Sequence, residues 1–450
     1  LKVEERVILL KNDELLSKAN KPAEDAMKLH PFYRGKIEVS LKSPVRDYND
    51  FAIWYTPGVA SPCQAIHANK EDVYRYTNKA NFVAVVSDGT RVLGLGDIGP
   101  EAALPVMEGK ALLFKYLGGV DAFPLCLDTR DPDELINTVK LLQPTFGGIN
   151  LEDIESPKCF YILDRLRQEC HIPVWHDDQQ GTACVTLAGL YNALKIVGKD
   201  LAKATIAVIG VGAANVATIR LLLAAGAAAE NIIACDSKGI LHQGRDDIGE
   251  RQFEKLKIIR MTNAGQRSGG IPQAMEKADV AIALSRPGPG TIKKEWVKLM
   301  AKDAIVFACA NPVPEIWPWE AKEAGAAIVS TGRSDFPNQV NNSLGFPGIF
   351  RGVLDVQAST ITDTMCIAAA KELAACAAEK GLNPEAILPT MDDFEVFPRI
   401  AAATAMQAIE EGVARLQLTY SEVYKMAEEK IKRAREETKV LMDSGIIPLP

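Results

Sequence analysis

Histidine is scarce in this chain, five in 450 residues, and the nine cysteines stand singly with no C-x-x-C pair among them. Neither residue type recurs at the spacing of a zinc site. An odd number of isolated cysteines fits free thiols in a reducing compartment. Long hydrophobic runs are missing too, and none approaches the roughly 20 residues of a membrane helix. There is no Lys/Arg-rich patch interleaved with aromatics, and the net charge is −7 with a pI near 5.5, which argues against a nucleic-acid partner. The first residues, Leu-Lys-Val-Glu-Glu-Arg-Val-Ile-Leu-Leu, carry acids beside a four-residue apolar run, unlike a secretory or transit segment. A cytoplasmic location is the expectation. With 47% hydrophobic and 24% charged residues, the composition is that of a globular protein of two to three domains.

Hydrophobic patterning divides the chain. Residues 1–30 read as a helical segment. From 31 to 197 strand-like runs alternate with amphipathic helical ones: strands at Phe82–Val86, Arg91–Leu95, Ala122–Leu127, Gly148–Leu151 and Ile172–Trp175, and helices at Leu104–Leu117, Pro132–Leu142 and Pro157–Glu169, with Asp131 and Ser156 as N-caps. This β-α-β order predicts a largely parallel sheet. A long helix, Gly181–Val197, leads to Gly-Lys-Asp and a second α/β unit, 198–357. Its strands Thr205–Ile209, Asn231–Cys235, Val280–Leu284, Ala304–Ala308 and Ala327–Val329 predict a doubly wound sheet. Residues 261–272 read as a loop, and 358–450 as a helical C-terminal segment.

Two acidic pairs stand out. Glu152-Asp153 ends the run Gly-Gly-Ile-Asn-Leu, and Asp177-Asp178 ends another short apolar run before the long helix. Each pair by itself is as well explained by helix capping; converging strand ends would give three or four oxygen ligands, which suit Mg²⁺ or Mn²⁺. In the second unit, Gly210-Val211-Gly212-Ala213-Ala214-Asn215 follows a strand and opens a helix. Its glycines permit a tight turn and close approach of a pyrophosphate to the helix N-terminus. Asn215 stands where Gly or Ala is usual, which predicts looser helix packing. The next strand leads to Asp236, a position from which a carboxylate accepts hydrogen bonds from the ribose of NAD⁺, while Lys238 offers a counter-charge to the 2′-phosphate of NADP⁺. NAD⁺ is the favoured reading.

Hydride transfer from an alcohol needs a proton acceptor. His176 reads as a packed strand residue. Lys110 lies in an apolar helix, where burial lowers an amine pKa toward a base's range, although a helical lysine is more often solvated. Tyr55 precedes a Pro-Gly turn, Arg91 sits between Asp-Gly-Thr and Leu-Gly-Leu-Gly-Asp, and Asn311 and Asn342 stand in turn segments after apolar runs. Guanidinium and amide groups there are suited to orienting a carboxylate.

YTPGVA at 55, SDGTRVLGLGDIG at 87, EGKALLFK at 108, NLEDI at 150, HDDQQGTA at 176, the glycine loop at 210, ANP at 310 and NQVNNSLGFPG at 338 form one ordered set. In that order they resemble the malic enzyme family, in its shorter prokaryotic-type members. The resemblance implies Lys110 as general base and Tyr55 as general acid, with Asp177 orienting Lys110. It implies Glu152, Asp153 and Asp178 as metal ligands, Arg91 and Asn342 as malate-binding residues, and Asn311 at the junction of substrate and nicotinamide. It further implies a homodimer or an assembly of dimers that converts L-malate and NAD(P)⁺ to pyruvate, CO₂ and NAD(P)H. A malolactic or oxaloacetate-decarboxylating enzyme would use the same parts, and a catalytically silent dinucleotide-binding regulator is an alternative of another class.

Overall fold

A continuous apolar run with no polar alternation is what a strand buried on both faces requires, and Phe82-Val-Ala-Val-Val-Ser87 forms such a strand, β1. The computed structural model describes residues 21–450. Of the expected N-terminal helical segment, 21–33 are helical and 1–20 lie outside the described residues. Residues Arg46–Pro450 make up one compact unit, which contains two sheets.

In the first sheet β1 is flanked by β2 (Asp121–Cys126) and β3 (Gly148–Leu151), with β4 (Val174–His176) outermost, in the order β2-β1-β3-β4 and parallel throughout. Helices Pro100–Gly118, Pro132–Leu142 and Lys158–Glu169 make the crossovers. Asp131 caps the second of these, its Oδ1 accepting from the Asp133 and Glu134 amides. Ser156 does not cap the third: that helix starts at Lys158 with Pro157 in the cap position and no side-chain cap, so the serine stands one residue too early. Arg91–Leu95 is not a strand. Residues 88–99 form a loop pinched by a Val92–Gly96 bridge, with Gly89, Leu93, Gly96 and Gly99 all at positive φ, a backbone that cannot extend into a sheet.

The second sheet contains β5 (Ile206–Ile209), β6 (Ile232–Asp236), β7 (Gly239–Ile240), β8 (Val280–Ala283), β9 (Ala304–Ala308) and β10 (Ala326–Thr331), ordered β10-β9-β8-β5-β6-β7. All pairs are parallel except β6–β7, a two-residue antiparallel return. The order reverses between β5 and β8, the switch point at which a doubly wound sheet binds its ligand.

The C-terminal helices Val396–Glu410 and Tyr420–Asp443 pack with Phe346–Asp355, a helix buried along its whole length, and Asp363–Glu379 packs against Val396–Glu410. Close approach is secured by glycine: a Cβ on Gly352 would stand 2.3 Å from the Ala401 carbonyl oxygen. Inside this packing the fully buried Arg351 pairs with Asp355 and donates to Asn81, tying the bundle to the start of β1. All nine cysteines are free, seven of them buried, with Cys63 exposed and Cys126 half-buried. Among the described residues no helix is long and apolar enough to cross a membrane.

Candidate active site

Glu152 and Asp153 follow β3 directly, and Asp177 and Asp178 follow β4. Because β3 and β4 are parallel neighbours with Leu151 opposite His176, the two acidic pairs leave the same sheet edge side by side. Oxygens of Glu152, Asp153 and Asp178 all lie within 4.8 Å of one another. Asp153 takes a left-handed backbone, φ +54°, which Asp tolerates better than most residues. There its amide donates to Asp178 Oδ2 at 2.9 Å and its Oδ1 accepts from the Leu93 amide at 3.2 Å. Its Oδ2 is buried without a hydrogen-bond partner. A buried orphan carboxylate oxygen beside two other carboxylates fits a hard divalent cation.

Lys110 reaches this group from the helix Pro100–Gly118. Its Nζ is 2.6 Å from Asp177 Oδ2 and 3.0 Å from Glu152 Oε1, and it lies 4.5 Å from the Phe346 ring centroid. Asp177 is fully buried and its Oδ1 accepts from Trp175 Nε1 at 2.9 Å. The structure thus reverses the expected lowering of the lysine pKa. Burial does push it down, but Asp177 and Glu152 together outweigh burial and hold the ammonium above its ordinary range. The acids move upward: burial, reinforced by Asp178, raises Glu152 well above the carboxylate range despite Lys110, and raises Asp153 to about 7.

The turn that carries Asp177 is π-helical, spanning Asp177–Gly181, a geometry often found at functional sites. It depends on Gly181, where a Cβ would fall 2.0 Å from Asp177 Oδ1 and 3.1 Å from the Asn342 Cβ. Asn342 is therefore brought to the acid cluster. Arg91 is close to it as well: its amide donates to the Asp153 carbonyl at 3.0 Å, with the guanidinium exposed. The Asn311 carbonyl lies 3.6 Å from a Cβ built on Gly94, so the β9 exit meets the 88–99 loop. Tyr55 is not joined to the cluster by any hydrogen bond among the described residues. It ends the helix Tyr48–Trp54 and is 72% exposed.

In the second sheet Gly210 turns at φ +90°, and a Cβ there would strike the Leu284 oxygen at 2.8 Å, whereas Gly212 has nothing within 4 Å of an added Cβ. Open space above Gly212, at the uncapped N-terminus of the helix Ala213–Ala224, fits a pyrophosphate. Asn215 tightens this turn instead of loosening it, donating from Nδ2 to the Ile209 and Gly210 carbonyls, both at 2.9 Å. Asp236 is not the free ribose acceptor that favoured NAD⁺: Arg245 spans it at 3.2 and 3.3 Å, Lys255 donates at 2.7 Å and the Lys238 amide at 2.9 Å.

Two family models match the chain: the N-terminal domain of malic enzyme over residues 34–167, and the malic enzyme NAD binding domain over 179–409. The chain belongs to the malic enzyme family. It is 52% identical over 400 residues to a bifunctional malic/malolactic enzyme of Bacillus subtilis, covering 89% of this chain and 96% of that one. It is 51% identical over 381 residues to an NAD-dependent malic enzyme of Geobacillus stearothermophilus, covering 85% and 78%. An Entamoeba histolytica malic enzyme crystal structure superimposes with a TM-score of 0.95 at 52% identity, over 98% of this chain and 92% of that one. In this malic enzyme family chain, sequence reasoning missed Trp175, Gly181 and Phe346, which hold Asp177 and Lys110. The adjacency of Gly181 to HDDQQ was the available signal, since a glycine at a helix entrance frees space for a neighbour.

Proposed function

We propose that the chain catalyses oxidative decarboxylation of L-malate to pyruvate and CO₂ with reduction of a nicotinamide dinucleotide. The observation that carries this reading is Lys110, buried between Asp177 and Glu152 at the rim of a three-carboxylate cluster. Glu152, Asp153 and Asp178 would hold Mg²⁺ or Mn²⁺, which when bound would supply Lewis acidity beside the reacting carbons of malate. A cation held by Glu152 would draw that carboxylate's charge away from Lys110 and lower the lysine pKa, so that Lys110, oriented by Asp177, could accept the C2 hydroxyl proton as hydride leaves C2. Arg91 and Asn342 bind malate carboxylate, and Asn311 stands where substrate meets nicotinamide. Tyr55 donates the proton that C3 gains on the way to pyruvate. Gly210, Val211, Gly212, Ala213 and Ala214 would hold the dinucleotide. Asp236 favours NAD⁺, but Arg245 and Lys255 neutralise it, so the preference over NADP⁺ is weak.

We assign the catalytic part to residues 31–197 and dinucleotide binding to 198–357, with 1–30 and 358–450 as flanking helical segments. The location is cytoplasmic and the assembly a homodimer. Tyr48, Phe51, Ile53 and Tyr55 are all more than half exposed on one short segment, an apolar surface of the kind a second copy covers. The test is malate turnover with Mn²⁺ and either dinucleotide, following reduced cofactor and pyruvate; no reduced cofactor and no pyruvate would refute the reading. A malolactic reaction is favoured by one finding, the bifunctional Bacillus relative, and lactate formed without net cofactor reduction identifies it.

A further inference from the structure

His176 ends β4 immediately before the acids, fully buried, and neither ring nitrogen has a hydrogen-bond partner among the described residues. Its backbone is satisfied, the amide donating to Gln180 Oε1 at 3.0 Å. A core histidine that only packs is expected to satisfy at least one nitrogen, because an unpaired buried polar group is a net cost. The nearest acidic atom to this ring is Asp178 Oδ2, 3.8 Å from Nε2, just beyond hydrogen-bond range.

The three cluster carboxylates are anchored unequally. Glu152 is held by Asn150 Nδ2 at 2.9 Å and by Lys110. Asp153 is held by the Leu93 amide. Asp178 accepts only from the Asp153 amide among the described residues, and its side chain is 37% exposed. It is the ligand most in need of a second anchor, and the imidazole, with its Nε2 3.8 Å from Asp178 Oδ2, is an unused donor beside it.

We propose that His176 is a positioning residue for the divalent cation, donating from Nε2 to the Asp178 carboxylate when that carboxylate is engaged as a ligand. The proposal rests on the metal reading above. A carboxylate ligand held by an outer hydrogen bond keeps one oxygen aimed at the ion, and loss of such a bond weakens metal affinity by about 10-fold or more. His176 does not touch substrate and takes no proton in the reaction.

The experiment is a titration of metal-free protein with Mn²⁺, reading free ion by electron paramagnetic resonance, alongside melting of the metal-free forms. His176→Phe, which keeps a ring and removes both nitrogens, should bind Mn²⁺ about 10-fold more weakly while melting no lower than wild type without metal. His176→Gln, whose amide can reach the place of Nε2, should recover most of that affinity. Should His176→Phe fail to fold, His176→Asn, polar but too short to reach Asp178, must show the same loss. Unchanged Mn²⁺ affinity in the folded variant overturns the proposal, as does equal weakening in His176→Phe and His176→Gln with lowered metal-free melting, the mark of a packing role. Wild-type protein that binds no Mn²⁺ sinks the metal reading itself; binding abolished by Asp178→Ala but untouched by His176→Phe sinks this inference alone.

Discussion

Removing the cation at different pH values probes the acid cluster most directly. Burial and Asp178 raise the Asp153 carboxyl from 3.8 to about 7. Between those values an unfolded chain has released this proton while the folded chain keeps it. The folded state then binds more protons, and its stability falls as pH rises. Three pH decades of such a difference correspond to about 4 kcal/mol, and Glu152, raised for the same reason, acts in the same direction. A bound divalent cation reverses the balance, since it takes the ionised ligands and its affinity grows as they lose protons. In EDTA the melting temperature of wild type should therefore fall relative to that of Asp153→Asn between pH 5 and 7, on the order of 1 °C for each kcal/mol in a chain of this size. His176, whose burial lowers its pKa and so favours folding as pH rises, is common to both. The increment from Mn²⁺ should grow over the same range. Asp153→Asn, which has no proton to lose, should flatten the EDTA curve. Scanning fluorimetry at four pH values with EDTA or Mn²⁺ is sufficient. A melting temperature in EDTA that holds or rises toward pH 7 relative to Asp153→Asn, or a Mn²⁺ increment equal at pH 5 and 7, would refute the account of the cluster.

Lys110→Ala should lower kcat for malate oxidation by about 10²-fold or more and leave two buried carboxylates unpaired, a loss of about 3–5 kcal/mol visible in urea unfolding; near-normal turnover removes Lys110 from the base role. Tyr55→Phe should lose exchange of the C3 protons of pyruvate, followed by NMR in D₂O, and wild-type exchange would transfer the acid role elsewhere. Gly181→Ala must displace Asp177 or Asn342, so malate turnover should drop while ADP binding, measured calorimetrically, stays within a factor of about two, well under the 1.4 kcal/mol of a tenfold change. Gly352→Ala drives a methyl against the Ala401 carbonyl and should destabilise the helical bundle by about 1–3 kcal/mol; a melting curve matching wild type would contradict that packing.

Much of the fold is readable in advance because its strands are short apolar runs closed by Gly, Pro or Asp. Gly148–Leu151 and Ala304–Ala308 are found at their predicted bounds. Arg91–Leu95 misled for the same reason: its alternation of apolar residues and glycine mimics a strand, and the positive φ angles that forbid one leave no mark on hydrophobicity. The two acidic pairs were visible as strand ends. Their adjacency was not, since it arises from the β3–β4 register. Lys110 shows the sharper limit. An apolar helix announces burial, but the sign of the pKa change is set by Asp177 and Glu152, which lie 67 and 42 positions away in the chain. Asp236 likewise meets Arg245 and Lys255 only after the chain has turned through β7.

The distribution of thiols makes the native protein its own reporter of opening. Cys63 alone is exposed, while burial pushes Cys184 and Cys235 up to about 12, and alkylation requires an accessible thiolate. Cys63 is then open to labelling in the folded state, and each of the seven buried cysteines is timed by the breathing of the element that hides it. Cys159 in the helix Lys158–Glu169, Cys235 on β6 and Cys376 in Asp363–Glu379 sample both sheets and the helical bundle, so a single alkylation time course read by mass spectrometry would rank these regions by their opening free energies without any added probe.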